Sequence, residues 1–279
     1  MYFSDQDVQQ LDRMAQQLRL DALDMIYHRG QGHIGGAFSM AEIVTALFFH
    51  HLRIRPEEPE WPERDRFVLG KGHACATLYA ALARRGYFPK EDLETFGRIG
   101  SPLQGHPCRL KTRGIDMSAG CLGHALPIAA GLGLAARLEK RGWRTYALLG
   151  DGECQAGVVW EGAMVVGKYR LANVTTIVDH NDVQNDGASH EVMPVEPLAA
   201  KFRSFNLEVM EIDGHDMRQV LESIELAGRI YAAPVVIIAH TTKGRGVSFM
   251  ENTCHWHGGA PTDEQYAQAR AELEGALKR

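Results

Sequence analysis

Three short aliphatic runs predict an α/β protein. They occupy residues 145–149, 174–178 and 234–239, and the stretches between them carry apolar residues three and four apart. Strand alternating with helix places successive strands parallel, with helices covering both faces. The expected fold is a three-layer α/β/α domain around a mostly parallel central sheet of about five or six strands.

Length and composition allow this to be one domain. The chain has 279 residues and a net charge of −5, and no repeat, low-complexity tract or linker divides residues 1–279. That balance leaves no basic footprint for nucleic acid and no polybasic membrane patch. No apolar run approaches the ~20 residues of a membrane span. The N-terminal stretch Met1-Tyr2-Phe3-Ser4-Asp5-Gln6-Asp7 is not followed by the apolar core of a signal peptide. The five cysteines are scattered without metal-ligand spacing and read as reduced thiols of a cytoplasmic protein.

Taken in order, residues 5–28 predict a helix with the stripe Val8, Leu11, Ala15, Leu18, Ala22 and Ile26. A flexible glycine-rich loop, 30–36, follows and carries His33; Ser39 and Glu42 read as the capping box of the next helix. Arg66-Phe67-Val68-Leu69 is a short buried strand ending in Gly70-Lys71-Gly72-His73 before an alanine-rich helix that reaches Arg85. His73 there is a candidate phosphate contact, and Lys71 a weaker one that an exposed position would also explain. A further helix is expected from Pro89, with Glu91 and Asp92 in its first turn.

Residues 100–123 are loop-rich and precede a helix of small residues, Ala129, Ala130, Gly131, Gly133, Ala135 and Ala136. Such a helix suits close packing, inside the domain or against another subunit. Residues 206–212 read as a further strand, Asp213-Gly214-His215-Asp216 as a strand-to-helix turn, and Asp216 as a helix cap. Thr262 and Gln265 form a capping box for a terminal surface helix.

The chemistry concentrates between Gly150 and Gly187. Gly150-Asp151-Gly152-Glu153 follows one strand and Asp179-His180-Asn181-Asp182-Val183 ends the next, with a helix marked by Trp160, Ala163, Met164 and Gly167 between them. In such a β-α-β unit Asp151 and Asn181 lie just beyond carboxyl ends of neighbouring strands, where open α/β sheets bind ligands. A carboxylate and an amide oxygen suit a hard cation such as Mg²⁺ or Ca²⁺, completed by a backbone carbonyl, water and phosphate oxygens. Taken alone, the same residues also describe an ordinary β-turn and a capping asparagine.

The spacing from Gly150-Asp151-Gly152 to Asn181 resembles the thiamine diphosphate motif. The ordered set Gly32-His33, Gly72-His73, Gly105-His106-Pro107, Gly120-Cys121-Leu122-Gly123, Asp213-Gly214-His215-Asp216 and His257-Gly258 resembles the N-terminal part of transketolase. The likeness covers almost the whole chain and is nearest to the N-terminal subunit of a split transketolase. It implies the thiamine diphosphate-binding fold and transfer of a two-carbon ketol unit from a ketose, expected to be a phosphate, to an aldose.

The resemblance implies that Asp151, Asn181 and the carbonyl of Val183 hold Mg²⁺, with Ca²⁺ or Mn²⁺ as substitutes. His73, Gly152 and His257 would contact the cofactor's diphosphate, with Lys243 supporting that side. Glu153 and Asn181 would also bind the cofactor, and Gly120 and Leu122 would lie near its aminopyrimidine. His33, His106 and His257 would face substrate as the catalytic histidines, since imidazole titrates near working pH. The family's pyrimidine-binding domain, with the glutamate that activates the cofactor, and its C-terminal domain are not within residues 1–279. They are therefore expected on a separate C-terminal subunit, in an α2β2 heterotetramer that is active only when complete.

Two positions depart from the family pattern. Ala156 stands where many transketolases place a glutamate that joins paired active sites, a contact that Glu153 is positioned in sequence to replace in part. Asn185 stands where an apolar residue commonly packs beside the thiazolium. The resemblance also admits 1-deoxyxylulose-5-phosphate synthase, the α subunit of 2-oxo acid dehydrogenases and a non-catalytic metal-diphosphate-binding module. The set of His33, His106 and His257-Gly258 speaks against the dehydrogenase subunit and the non-catalytic module, and 1-deoxyxylulose-5-phosphate synthase usually comes as one long chain.

Overall fold

Five strands form one sheet: β1 (Arg66–Leu69), β2 (Thr145–Gly150), β3 (Val174–His180), β4 (Glu208–Asp213) and β5 (Val235–His240). Their spatial order is β1-β2-β3-β5-β4, and every neighbouring pair is parallel. The computed structural model describes residues 3–278, so Met1 and Tyr2, which open the stretch read as lacking a signal peptide, and Arg279 lie outside the described residues. Ten α-helices connect and cover the described strands: α1 (Asp5–Arg29), α2 (Ile34–Ser39), α3 (Ala41–Ala46), α4 (Ala76–Arg85), α5 (Ala125–Leu138), α6 (Gly157–Lys168), α7 (Ser189–Val192), α8 (Leu198–Ser204), α9 (Met217–Arg229) and α10 (Asp263–Leu277).

Side chains alternate across the sheet with the period of two that a pleated strand imposes. Phe67, Leu69, Tyr146, Leu148, Ile177, Val235 and Ile237 enter one core, shared with α1, α3, α4 and α9. Val68, Ala147, Leu149, Val178, Val236 and Ile238 enter the other, beneath α5, α6 and α8. The sheet is thus covered on both faces, as expected of parallel strands. Two glycines allow close packing of the second layer. A Cβ on Gly133 of α5 would come within 2.4 Å of Val174 Cγ2, and one on Gly167 of α6 within 1.9 Å of the Phe205 carbonyl oxygen.

Local signals account for several ends. Ser4 and Asp7 form a capping box at the start of α1, and Gly30 closes that helix at φ 74°, a left-handed conformation that glycine adopts without a Cβ clash. Asp216 caps α9 through the amides of Arg218 and Gln219, and Thr262 and Gln265 cap α10 reciprocally.

Three expectations fail. Ser39 caps no helix: it ends α2, and its hydroxyl donates to the Gly36 carbonyl and to Asp179. Residues 34–36 are buried helix and not flexible loop. After Pro89 the chain forms only a 3-10 segment, Lys90–Thr95. In the first case a tertiary partner, Asp179, outcompetes a local capping signal, and in the second, burial in the core overrides the low helix propensity of glycine. All five cysteines are unpaired, and among the described residues no helix is long and apolar enough to cross a membrane.

Candidate active site at the carboxyl ends of the strands

The exits of β1, β2, β3 and β5 converge on one cleft of about 410 Å³. Its wall includes His33, His73, His106, His257, Lys243, Gly120, Leu122, Asp151, Gly152, Glu153, Asn181 and Val183. Every residue the sequence singled out for the site therefore meets in a single space. Parallel strands put all their carboxyl ends on one edge, so residues far apart in sequence arrive together.

Asp151 and Asn181 follow β2 and β3, whose register pairs Gly150 with Asp179. The Asp151 carboxylate is buried, which pushes its pKa up, and Ser189 Oγ donates to Oδ2 at 2.9 Å. The Asn181 amide nitrogen donates to Asp179 Oδ2 at 3.2 Å, while its oxygen accepts from the Val183 amide at 3.2 Å. With its nitrogen tied inward, Asn181 keeps its oxygen as the group available for a cation. The Val183 carbonyl accepts from Lys243 Nζ at 2.7 Å, so this oxygen already faces positive charge.

These three oxygen donors fit a hard divalent ion in kind. Among the described residues no three His, Cys, Asp or Glu side chains group as a metal site. An ion held here would thus need phosphate oxygens or water to fill its shell. The backbone leaves the cleft open at its glycines: a Cβ on Gly120 would meet nothing within 4 Å, and one on Gly150 nothing nearer than 3.7 Å.

Beneath the cleft lies a buried carboxylate that sequence reasoning missed. Asp179 accepts from Lys71 Nζ, Ser39 Oγ, Thr241 Oγ1 and Asn181 Nδ2. Burial alone would raise its pKa, but Lys71 and the hydroxyl donors hold it below the usual carboxylate value. Lys71 is itself buried and also donates to the Gly36 carbonyl at 2.7 Å, which corrects the reading of an exposed lysine. Asp179 showed no signal in sequence beyond being a charged residue directly after an aliphatic run.

The histidines form a neutral cluster. The His33 and His73 ring centroids lie 4.9 Å apart, His33 and His257 5.6 Å, and the His73 and His257 rings stack at 5.2 Å. Burial, with His33 and Lys71 nearby, lowers the His73 pKa to about 2. Burial and Lys243 lower that of His257 to about 4, and burial lowers that of His33. Burial and Lys71 also bring Lys243 down to about 8. His106 lies at the exposed side of the cleft.

Glu153 turns inward. Its carboxylate accepts from the amides of Gly123 at 2.8 Å and Gly150 at 3.1 Å, and burial pushes its pKa up to about 7. It braces two glycine turns with both carboxylate oxygens engaged inside the domain. Gly70 makes room for it: a Cβ there would sit 2.3 Å from Glu153 Oε1 and push the carboxylate off its amides. Asn185 is exposed at the cleft wall and hydrogen-bonds Asp186 at 2.9 Å. Gln155 and Gln184, also on the wall, were not foreseen; they bond each other at 2.7 Å and tie the Gly152 turn to the following loop.

Known proteins share this fold and much of this sequence. The family described as transketolase, thiamine diphosphate binding domain, matches residues 10–276. The chain is 36% identical over 98% of its length to one of the subunits of apulose-4-phosphate transketolase from Phocaeicola vulgatus, covering 96% of that protein. It is 41% identical over 95% of its length to the SqwG subunit of 6-deoxy-6-sulfo-D-fructose transketolase from a Clostridium species, again covering 96%. A transketolase structure from Pichia stipitis superimposes with a TM-score of 0.90 at 29% identity, over 94% of this chain but 40% of that one. The transketolase of Campylobacter jejuni gives 0.89 at 29%, over 95% and 43%. The chain spans less than half of those full-length enzymes and nearly all of the two subunits. On its fold, its cleft and these matches, the chain belongs to the transketolase thiamine diphosphate-binding domain family.

Proposed function

We propose that this protein is the cofactor-holding subunit of a two-subunit, Mg²⁺-dependent transketolase that moves a two-carbon ketol unit from a ketose to an aldose. The observation that carries the reading is the convergence of Asp151, Asn181, the Val183 carbonyl and three neutral histidines in one cleft. When bound, thiamine diphosphate supplies the nucleophilic carbon and electron sink for breaking the carbon–carbon bond. Asp151, Asn181 and Val183 would hold the divalent ion against the diphosphate, with Ca²⁺ or Mn²⁺ able to replace Mg²⁺. His73, Gly152 and Lys243 would bind the diphosphate oxygens, and Gly120 and Leu122 would flank the aminopyrimidine. Glu153 would act on the cofactor only by holding the Gly123 and Gly150 turns.

His33, His106 and His257 would bind sugar hydroxyls and move their protons. Burial keeps the His33 and His257 rings neutral at pH 7. His33 would offer one donor and one acceptor, and His257, whose Nδ1 accepts from Lys243, would offer its Nε2 hydrogen. A partner polypeptide would carry the pyrimidine-binding domain and its glutamate, in an α2β2 assembly in the cytoplasm. Support comes from the full-length match to proteins named as subunits. Their names, one a sugar phosphate and one a sulfo sugar, support a substrate with a terminal anion, a phosphate or a sulfonate.

The test combines the chain with a polypeptide carrying the pyrimidine domain, thiamine diphosphate, Mg²⁺, a ketose phosphate and an aldehyde acceptor. Ketol transfer by the mixture and by neither protein alone is expected. Asp151→Ala is expected to abolish Mg²⁺-dependent cofactor binding in calorimetry while the protein still unfolds cooperatively. Unchanged affinity in that variant, or oxidative decarboxylation by the mixture, would overturn the reading.

A further inference from the structure

His215 lies outside the cleft, yet it is wired to it. It sits in the turn Asp213-Gly214-His215-Asp216 between β4 and α9, and its ring is largely buried. The Thr242 amide donates to His215 Nε2 at 2.7 Å. A backbone N–H can only donate, so Nε2 is the acceptor and Nδ1 carries the hydrogen. That hydrogen points to Glu42 Oε2 at 3.0 Å. Glu42 in turn is paired with the fully buried Arg19 at 2.6 Å, and Arg19 Nε donates to the Phe38 carbonyl at 3.1 Å. The imidazole is thereby held in one tautomer and one orientation by α1 and α3.

What it holds is the exit of β5. The Thr241 amide donates to the His180 carbonyl at 2.9 Å and the Gly244 amide to the Gly35 carbonyl at 3.0 Å. Between these two backbone anchors, the Thr242 amide is tied by a side chain, that of His215. The next residue is Lys243, whose ammonium reaches the Val183 carbonyl at 2.7 Å and lies 2.8 Å from His257 Nδ1. Gly214 lets the turn close on this segment, since a Cβ there would meet Thr241 Cγ2 at 2.5 Å.

We propose that His215 is a positioning residue for Lys243: by accepting the Thr242 amide it sets the backbone from which the ammonium enters the cleft. It touches neither cofactor nor substrate. The inference rests on the cleft's being the diphosphate site, and two substitutions separate its halves. Glutamine reaches about as far as Nε2 and retains an acceptor for Thr242. Asparagine reaches only as far as Nδ1, so it retains the contact to Glu42 and leaves Thr242 unpaired.

The experiment measures, on the full chain, calorimetric affinity for thiamine diphosphate with Mg²⁺, together with amide hydrogen exchange at Thr242. His215→Gln is expected to bind like the wild type and to keep Thr242 protected. His215→Asn is expected to bind roughly tenfold more weakly, the scale of one buried hydrogen bond left unmade, and to exchange faster at Thr242. In a Lys243→Met background the same His215→Asn change is expected to cost nothing more, because its effect runs through the lysine. Slow exchange at Thr242 in His215→Asn, additive losses in the double variant, or equal losses for both substitutions would overturn the proposal. A wild-type chain that binds no cofactor would instead overturn the reading of the cleft, with the exchange comparison still deciding the role of His215.

Discussion

Lys243 Nζ lies 2.8 Å from His257 Nδ1. A lysine ammonium has only hydrogens to offer, so Nδ1 is the acceptor and the His257 hydrogen resides on Nε2. This contact presents the imidazole as a donor on its other side and keeps it from taking a proton at Nδ1. The second Lys243 contact, to the Val183 carbonyl, brings the same ammonium beside a proposed ion ligand.

Lys243→Met is therefore expected to separate binding from stability. Burial lowers the lysine pKa from 10.5 to about 8, so the folded protein pays for holding it charged at pH 7. Its removal is expected to leave the melting temperature unchanged or higher. Cofactor affinity is expected to fall at least about tenfold, as one charge-assisted contact is lost. Calorimetry and thermal unfolding of the same sample check both; a lower melting temperature with intact affinity would contradict the account.

The Lys71–Asp179 pair makes the opposite prediction. Both side chains are buried, and Asp179→Ala leaves the ammonium without its partner. A loss of about 3–5 kcal/mol is expected, seen as a melting temperature lower by roughly 10 °C. Lys71→Met together with Asp179→Leu removes both charges and is expected to recover most of that stability. A double variant as unstable as Asp179→Ala would show that the charge is not the cause.

Glu42 contributes to acid stability. Burial works against its charge, but Arg19 and His215 hold its pKa at about 2, below the ordinary 4.5. For a carboxylate depressed by folding, the stabilisation is complete above pH 4.5 and is lost as pH falls towards 2. Glu42→Gln is expected to flatten the dependence of unfolding free energy on pH in that window. It should also cost about 3–5 kcal/mol at pH 7, by stranding Arg19. Urea unfolding at pH 7, 4 and 3 measures both effects.

Much of the site was legible because of where a parallel sheet places its strand ends. Asp151 and Asn181 could be assigned to one edge from two aliphatic runs and the helix between them. Lys71 and Asp179 could not. Their contact spans 108 residues, and a lysine after a glycine reads equally well as surface. Ser39 misled for a related reason: three residues before a glutamate it has the form of a cap, yet its hydroxyl is taken by Asp179 across the core. Glu153 likewise looked available, and two backbone amides had already claimed it.

By itself, the sequence determined the alternation of strand and helix, the two-faced burial of the strands and the positions of the glycine turns, since these depend on periodicity and on residues close along the chain. Only the tertiary structure decided which polar groups are spent on one another and which face the cleft. That choice depends on desolvation and on hydrogen-bond partners from separate elements, and neither exists until the layers have packed.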